Sequence, residues 1–133
     1  MGVNNLKNRC QDAEDHYKLG ITHKLNGRLE DAEASFRYAI ALQFDLPEVH
    51  HNLGTVLYEM GLLNEAVICF NEALSLRSDF SEAYYNLGIT QMELGEEKLA
   101  RENLNQATLL KKNYGSAEHM LAAFSGKTTE TAP

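Results

Sequence analysis

Two asparagines, Asn52 and Asn86, stand 34 residues apart and carry the side chain best suited to holding a peptide. A primary amide offers hydrogen-bond donors and an acceptor, so it can bind a peptide backbone whatever side chains that peptide has. Lys18 stands one interval earlier and has no acceptor, so the series contains two amides. The alternative, in which both amides are solvated or bonded within the protein, stays open.

Ring-bearing side chains recur at the same interval, at Tyr17, His51, Tyr85 and His119. Rings in such a series can enclose the side chains of a bound peptide or attract a cation. They can equally pack between neighbouring elements, because large aromatic side chains usually serve packing first. The sequence leaves these two interpretations open.

Acidic side chains near these places favour a partner of positive charge. Residues 47–80 contain five acids and one base, a net charge of −4. The surface that carries Asn52 and Asn86 is also expected to carry four carboxylates, those of Glu48, Glu59, Glu82 and Glu93. Such a surface would attract a basic segment. A local explanation is open for Glu48 and Glu82, since carboxylates stabilise the first turn of a helix. Asp79, three residues before Glu82, predicts a capping box at that helix start.

The other reactive side chains do not form a pattern typical of catalysis or metal binding. His50 and His51 are adjacent and would point about 100° apart on a helix. Cys10 and Cys69 form neither a C-x-x-C pair nor a zinc spacing, which is typical of reduced thiols. We therefore predict no catalytic residue, no metal site and no cofactor.

Composition restricts the class of partner. The chain has 133 residues and a net charge of −7, from 19 acidic and 12 basic residues. Because a nucleic-acid binder needs a surplus of Lys and Arg, we expect no nucleic-acid partner. No stretch approaches the roughly eighteen apolar residues that span a membrane, and the start lacks the apolar run of a signal peptide. We expect a cytoplasmic chain with no membrane partner.

The elements that position these residues occur three times. A Leu-Gly pair recurs every 34 residues, at 19–20, 53–54 and 87–88. A large apolar residue follows each pair after the same gap, at Phe36, Phe70 and Leu104. A second glycine recurs at Gly27, Gly61 and Gly95, where a left-handed conformation can end a helix. The period predicts three helix-turn-helix units over 13–46, 47–80 and 81–114.

Alanines recur at the same interval, at 32, 66 and 100 and at 39, 73 and 107. Leu-Gly, Ala, Phe and Ala at a 34-residue period resemble the tetratricopeptide repeat (TPR) family, over 102 of the 133 residues. The resemblance implies an all-α fold, a right-handed TPR superhelix of three helix-turn-helix repeats. It also implies a non-catalytic interaction module that binds a peptide or partner-protein segment in a concave groove. The groove residues so implied are Tyr17, Lys18, His51, Asn52, Thr55, Tyr58, Glu59, Tyr85, Asn86, Ile89, Met92 and Glu93.

One family function is disfavoured. TPR domains that hold the C-terminal carboxylate of a chaperone use a clamp of Lys, Asn and Arg over three repeats. In this sequence the first-repeat clamp places carry Tyr17 and Ile21, the third-repeat places carry Glu82 and Asn86, and Asn52 alone matches. Chaperone tails are therefore not expected as partners.

Both ends lie outside the three units. Residues before 13 are expected to extend the first helix backwards through Leu6 and Cys10. Apolar residues at helical spacing predict a capping helix over 115–125, so that residues 1–125 form a single TPR domain before a flexible tail over 126–133.

Two alternative functions stay open. Residues 117–126 resemble the junction of bacterial proteins in which TPR units precede a methyltransferase domain, which would make the chain a substrate-recruiting arm of that enzyme. Alternatively, Ala122, Ala123 and Phe124 could pair two copies into a self-associating scaffold, a weak homo-oligomer.

Overall fold

Six α-helices make up the part of the chain that the computed structural model describes, residues 2–43, 46–111 and 121–122. The helices are α1 (Gly2–Leu25), α2 (Leu29–Leu42), α3 (Pro47–Glu59), α4 (Leu63–Leu76), α5 (Ser81–Glu93) and α6 (Glu97–Leu110). They pair as three helix-turn-helix hairpins, α1 with α2, α3 with α4 and α5 with α6. The predicted all-α fold of three repeats is confirmed.

The chain divides into two compact units, unit 1 over Met1–Arg77 and unit 2 over Ser78–Pro133. Unit 1 contains the first two hairpins, and unit 2 contains the third. The single domain over residues 1–125 and the handedness of its superhelix stay predictions. The predicted capping helix over 115–125 and the tail over 126–133 lie outside the described residues, apart from the helical residues 121–122.

A glycine with positive φ ends the first helix of each hairpin, as predicted. In the second hairpin Gly61 has φ +81°, which a residue with a Cβ rarely adopts. The amide of Gly61 donates to the carbonyl of Tyr58, and the amide of Leu62 donates to that of Leu57, both at 2.9 Å. These two bonds form a Schellman motif, which satisfies carbonyls at the end of α3 and turns the chain toward α4.

A close contact between a glycine and an apolar side chain holds each hairpin together. In the second hairpin the fully buried ring of Phe70 lies against Gly54, where an added Cβ would come within 2.6 Å of the ring carbon Cε1. Phe36 faces Gly20 in the first hairpin in the same way, and the third hairpin places Leu104 against Gly88. The recurring Leu-Gly and Phe positions of the sequence are thus the two sides of one contact.

The helix starts differ from the expectation. The N-cap of α5 is Phe80, and it makes no side-chain capping hydrogen bond. The prediction that Asp79 caps this helix is wrong, because α5 begins one residue too late for the carboxylate of Asp79 to occupy the cap. The Ser81 hydroxyl instead donates to the Glu82 carboxylate at 2.8 Å.

Helix α1 has 24 residues, compared with 13 in α3 and in α5, so the predicted backward extension of the first helix is confirmed. Within the described ranges, no helix is both long enough and apolar enough to cross a membrane.

Replacing Gly54 with alanine should destabilise unit 1 by about 1–3 kcal/mol, because the new methyl group would overpack the helix contact against Phe70. Urea denaturation followed by circular dichroism measures this change. In a Phe70→Val background the penalty of Gly54→Ala should shrink, since valine lacks the Cδ1 and Cε1 atoms with which the new methyl group would clash. If Gly54→Ala lowered the free energy of unfolding equally with and without the Phe70 ring, the contact between Gly54 and Phe70 would not be the cause of the destabilisation.

Candidate functional site

In unit 1 the first helices of two successive repeats, α1 and α3, are joined by a hydrogen bond between side chains. Asn52 on α3 donates through Nδ2 to the hydroxyl oxygen of Tyr17 on α1, at 3.0 Å. Both side chains are half-buried. The Tyr17 ring lies 6.0 Å from the ring of Phe36, so the core of the first hairpin positions the group that accepts from Asn52.

Burial also affects the ionisation of Tyr17. It raises the pKa of Tyr17 above its ordinary value, because the phenolate form would lose its hydration. The hydrogen bond from Asn52 acts in the opposite direction and is the weaker of the two effects on that pKa. Tyr17 is therefore a neutral phenol over the physiological range.

Several other predicted site residues lie close to this hydrogen bond on α1 and α3. We call them, together with Tyr17 and Asn52, the first-helix surface of unit 1: Tyr17, Lys18, His51, Asn52, Thr55, Tyr58 and Glu59. The hydroxyl of Thr55 donates to the backbone carbonyl of Asn52 at 2.7 Å, so its hydrogen bond lies within α3. The ring of His51 lies 5.7 Å from that of Phe70, and Tyr58 is half-buried. Tyr17 and His51 thus pack against the hairpin cores while remaining partly accessible.

The charges of this surface are partly balanced. Lys18 pairs with Glu14 one helical turn away at 3.2 Å, and Glu48 pairs with Arg77. Burial lowers the pKa of Lys24, while the nearby carboxylate of Glu59 opposes that shift. All four paired side chains remain substantially exposed, so solvent screens these pairs and they contribute little to stability.

A groove lies beside the first-helix surface, between the N-terminal half of α1 and the start of α3. It has a volume of about 740 Å³. We call it the N-terminal groove, and it is lined by Leu6, Lys7, Cys10, Gln11, Glu14, Tyr17, Gln43, Leu46, Glu48 and Val49. Four of these ten residues precede residue 13, and they were not predicted as site residues because they fall outside the 34-residue period. The spacing of Leu6 and Cys10, one helical turn apart, was the available signal.

In unit 2 the predicted site residues all lie on α5. Tyr85, Asn86, Ile89 and Met92 are half-buried, and Glu93 is exposed. Tyr85 and Ile89 pack against the buried cluster of Leu104 and Ala107, so part of their surface belongs to the hairpin core.

Unit 2 also contains a polar contact that was not predicted from the sequence. The side-chain amide of Asn103 donates to Oε1 of Gln91 at 2.6 Å, and Gln91 is buried. Leu57 occupies the place of Gln91 one repeat earlier, and it is fully buried in an apolar core. An amide pair in place of an apolar contact joins α5 to α6.

Metal ligands and nucleophiles do not converge in the described ranges. No group of three or more His, Cys, Asp or Glu side chains is arranged to hold a metal ion there. Cys10 is exposed, whereas Cys69 is buried and its pKa is raised by burial to about 11. The thiol of Cys69 is therefore protonated and unreactive at neutral pH.

Two family models match the chain: a TPR repeat over residues 56–95 and a tetratricopeptide repeat over residues 81–114. The chain belongs to the TPR repeat family. TPR domains are generally modules that bind proteins or peptides, and they are typically non-catalytic. No curated protein is significantly similar to this chain in sequence.

Solved structures share the TPR fold. The crystal structure of MamA is 25% identical, with a TM-score of 0.84, over 88% of this chain and 69% of MamA. The first TPR of Spaghetti (RPAP3), bound to the HSP90 peptide SRMEEVD, is 18% identical with a TM-score of 0.86, over 90% of this chain and 95% of that one. YrrB, a TPR protein with an unusual peptide-binding site, is 23% identical with a TM-score of 0.78, over 82% of this chain and 56% of YrrB. At these identities the last two show the fold alone.

Replacing Tyr17 with phenylalanine should cost about 0.5–1.5 kcal/mol at neutral pH, because the donor of Asn52 loses its acceptor. The wild type should then lose stability relative to this variant as the pH rises above about 10. The pKa of Tyr17 is higher in the folded protein than in the unfolded chain. As the pH rises, the phenol therefore ionises first in the unfolded chain, and this ionisation stabilises the unfolded state relative to the folded one. Urea denaturation of both proteins at neutral and alkaline pH measures their free energies of unfolding. If the stability advantage of the wild type over Tyr17→Phe increased above pH 10, the raised pKa of Tyr17 would be contradicted.

Alkylation of the native protein with iodoacetamide should modify Cys10 and leave Cys69 largely intact. Burial and the raised pKa should make Cys69 at least about 100-fold slower at pH 8, because only the thiolate reacts. Mass spectrometry of digested protein gives both rates in one sample. The unfolded protein in urea is the control, where the two rates should converge.

Proposed function

We propose that this TPR chain is a non-catalytic interaction module, and that it binds a basic peptide or partner-protein segment on the first-helix surface of unit 1. The observation that carries the proposal is the hydrogen bond from Asn52 to Tyr17. It fixes an amide between two first helices at a half-buried position beside an apolar groove.

The chemistry of the amide suits a peptide backbone. A primary amide has two N–H donors and an oxygen acceptor, and the bond to Tyr17 uses one donor. The remaining donor and the oxygen match the carbonyl and N–H that one peptide unit presents. Because Tyr17 restrains the side chain before any ligand arrives, less rotational entropy is lost when the ligand binds.

The acidic side chains support a basic ligand. Glu14, Glu48 and Glu59 lie on the same two helices as the Tyr17–Asn52 pair, and the salt bridges of Glu14 and Glu48 are exposed enough to exchange with a cation from a ligand. The whole chain carries a net charge of −7, which attracts a basic segment and repels an acidic one. The same charge disfavours nucleic acids as partners.

The family supports the general role. Among the structural neighbours, the first TPR of Spaghetti (RPAP3) holds an HSP90 peptide, and YrrB has an unusual peptide-binding site. An acidic chaperone tail of the kind held by Spaghetti does not suit the carboxylates of this surface. We extend the proposal to α5 of unit 2, where the equivalent positions carry Tyr85, Asn86, Ile89, Met92 and Glu93.

Short peptides selected from a random displayed library on the wild-type protein test the proposal. The selected peptides should be enriched in Lys and Arg, and fluorescence polarisation gives their affinities. Asn52→Ala should weaken binding by about two- to twelvefold through the lost hydrogen bonds. Asn71→Ala is the matched control, since Asn71 is exposed on the second helix α4 of the same repeat, and it should leave binding unchanged.

The opposite pattern would refute the proposal. Enrichment of acidic peptides would refute the proposal that the ligand is basic. Peptides that bind Asn52→Ala and the wild type with the same affinity would refute the first-helix surface as the binding site. Failure to select any peptide would refute the proposed peptide-binding function itself.

A further inference from the structure

The N-terminal groove exists because α1 is longer than the other first helices. Helix α1 has 24 residues and α3 has 13, and the additional turns precede the first repeat. These turns supply Leu6, Lys7, Cys10 and Gln11 to one wall of the groove. The opposite wall comes from the start of α3 and the residues before it, through Leu46 and Val49. The groove is therefore a property of this chain rather than of the 34-residue repeat.

The interior of the groove is apolar and the rim is charged. Leu6, Cys10 and Leu46 present hydrocarbon and thiol surface, and Leu6 is 62% exposed, whereas Val49 is buried beneath them. A volume of about 740 Å³ is far larger than one side chain needs, so the groove accommodates a residue together with its neighbours in a chain. Covering an exposed leucine at this position with another apolar side chain is favourable, because both lose contact with water.

Two carboxylates and one ammonium group surround this apolar surface. Glu14 on α1 and Glu48 on α3 approach it from both walls, and Lys7 is the one basic residue among the described residues that line it. The partners of the two carboxylates, Lys18 and Arg77, are themselves well exposed, so a ligand cation can join either pair at little cost. The described lining residues carry a net charge of −1, from two acids and one base.

We propose that the N-terminal groove binds a large apolar side chain of the same basic partner segment, with a Lys or Arg of that segment beside it at Glu14 or Glu48. This inference rests on the proposed function and adds the specificity of the ligand. Tyr17 connects the two parts of the site, because it lines the groove and also accepts the hydrogen bond from Asn52. One peptide segment can therefore bind Asn52 through its backbone and place an apolar side chain in the groove.

Two leucines on α1 provide a matched pair of variants. Leu6 lines the groove, and Leu25, at the other end of the same helix, is 80% exposed and does not line it. With a library-selected peptide, Leu6→Lys should weaken binding about tenfold, because it removes apolar contact area and adds repulsion toward a basic ligand. Leu25→Lys adds the same charge to the same helix and should change the affinity less than about twofold. Thermal unfolding of both variants verifies that each remains folded.

A second measurement uses the wild-type protein without any substitution. Cys10 lines the groove, and its exposed thiol reports whether the groove is occupied. At a peptide concentration about tenfold above Kd, alkylation of Cys10 by iodoacetamide should slow about tenfold, since only the unbound fraction reacts. A peptide of the same length and charge, in which the apolar residues are replaced by serine, should give no protection.

The outcomes separate this inference from the function on which it rests. Peptides that bind in an Asn52-dependent manner but neither protect Cys10 nor distinguish Leu6→Lys from Leu25→Lys would overturn the groove while leaving the first-helix surface intact. Protection of Cys10 by peptides without an apolar residue would overturn the proposed specificity. Protection together with sensitivity to Leu6→Lys establishes the groove as the apolar subsite.

Discussion

The close approach of two helices at a glycine is the constraint on which each hairpin depends. Gly54 leaves space that the ring of Phe70 fills completely, and the same arrangement joins Gly20 to Phe36 and Gly88 to Leu104. Because the apolar side of each first helix is buried in this contact, the remaining side is left to meet a neighbouring first helix or a ligand. The position of the candidate site is therefore a consequence of how the hairpins pack.

The Tyr17–Asn52 hydrogen bond reconciles two interpretations that the sequence left open. The amide is bonded within the protein, as the purely structural interpretation requires, but that bond satisfies only part of its hydrogen-bonding capacity. A side chain fixed in this way is better prepared to hold a ligand than a mobile one, since its rotational freedom is already restricted. Internal bonding and peptide binding are therefore compatible roles for Asn52.

The additional turns of α1 give the first repeat a feature that an ideal repeat does not have. A repeat supplies the same side chains at the same places, which suits recognition of a peptide backbone but provides little selectivity among peptides. The N-terminal groove adds an apolar surface and two carboxylates beside the amide. The proposed binding site places selectivity where the chain departs from its own period, because only there do the side chains become specific to one position.

The sequence by itself determined the period, the three hairpins and their turns, because these depend on local requirements that residue types reveal directly. A positive φ at Gly61 and a missing Cβ at Gly54 are such requirements. The tertiary structure decided which side chains meet across helices: that Asn52 donates to Tyr17, that Gln91 accepts from Asn103, and that residues before the first repeat form a groove with Leu46 and Val49. These contacts depend on the angle and distance between helices, which result from the packing of whole side chains. The spacing within one segment shows at most which residues share a face of a helix, not what they meet.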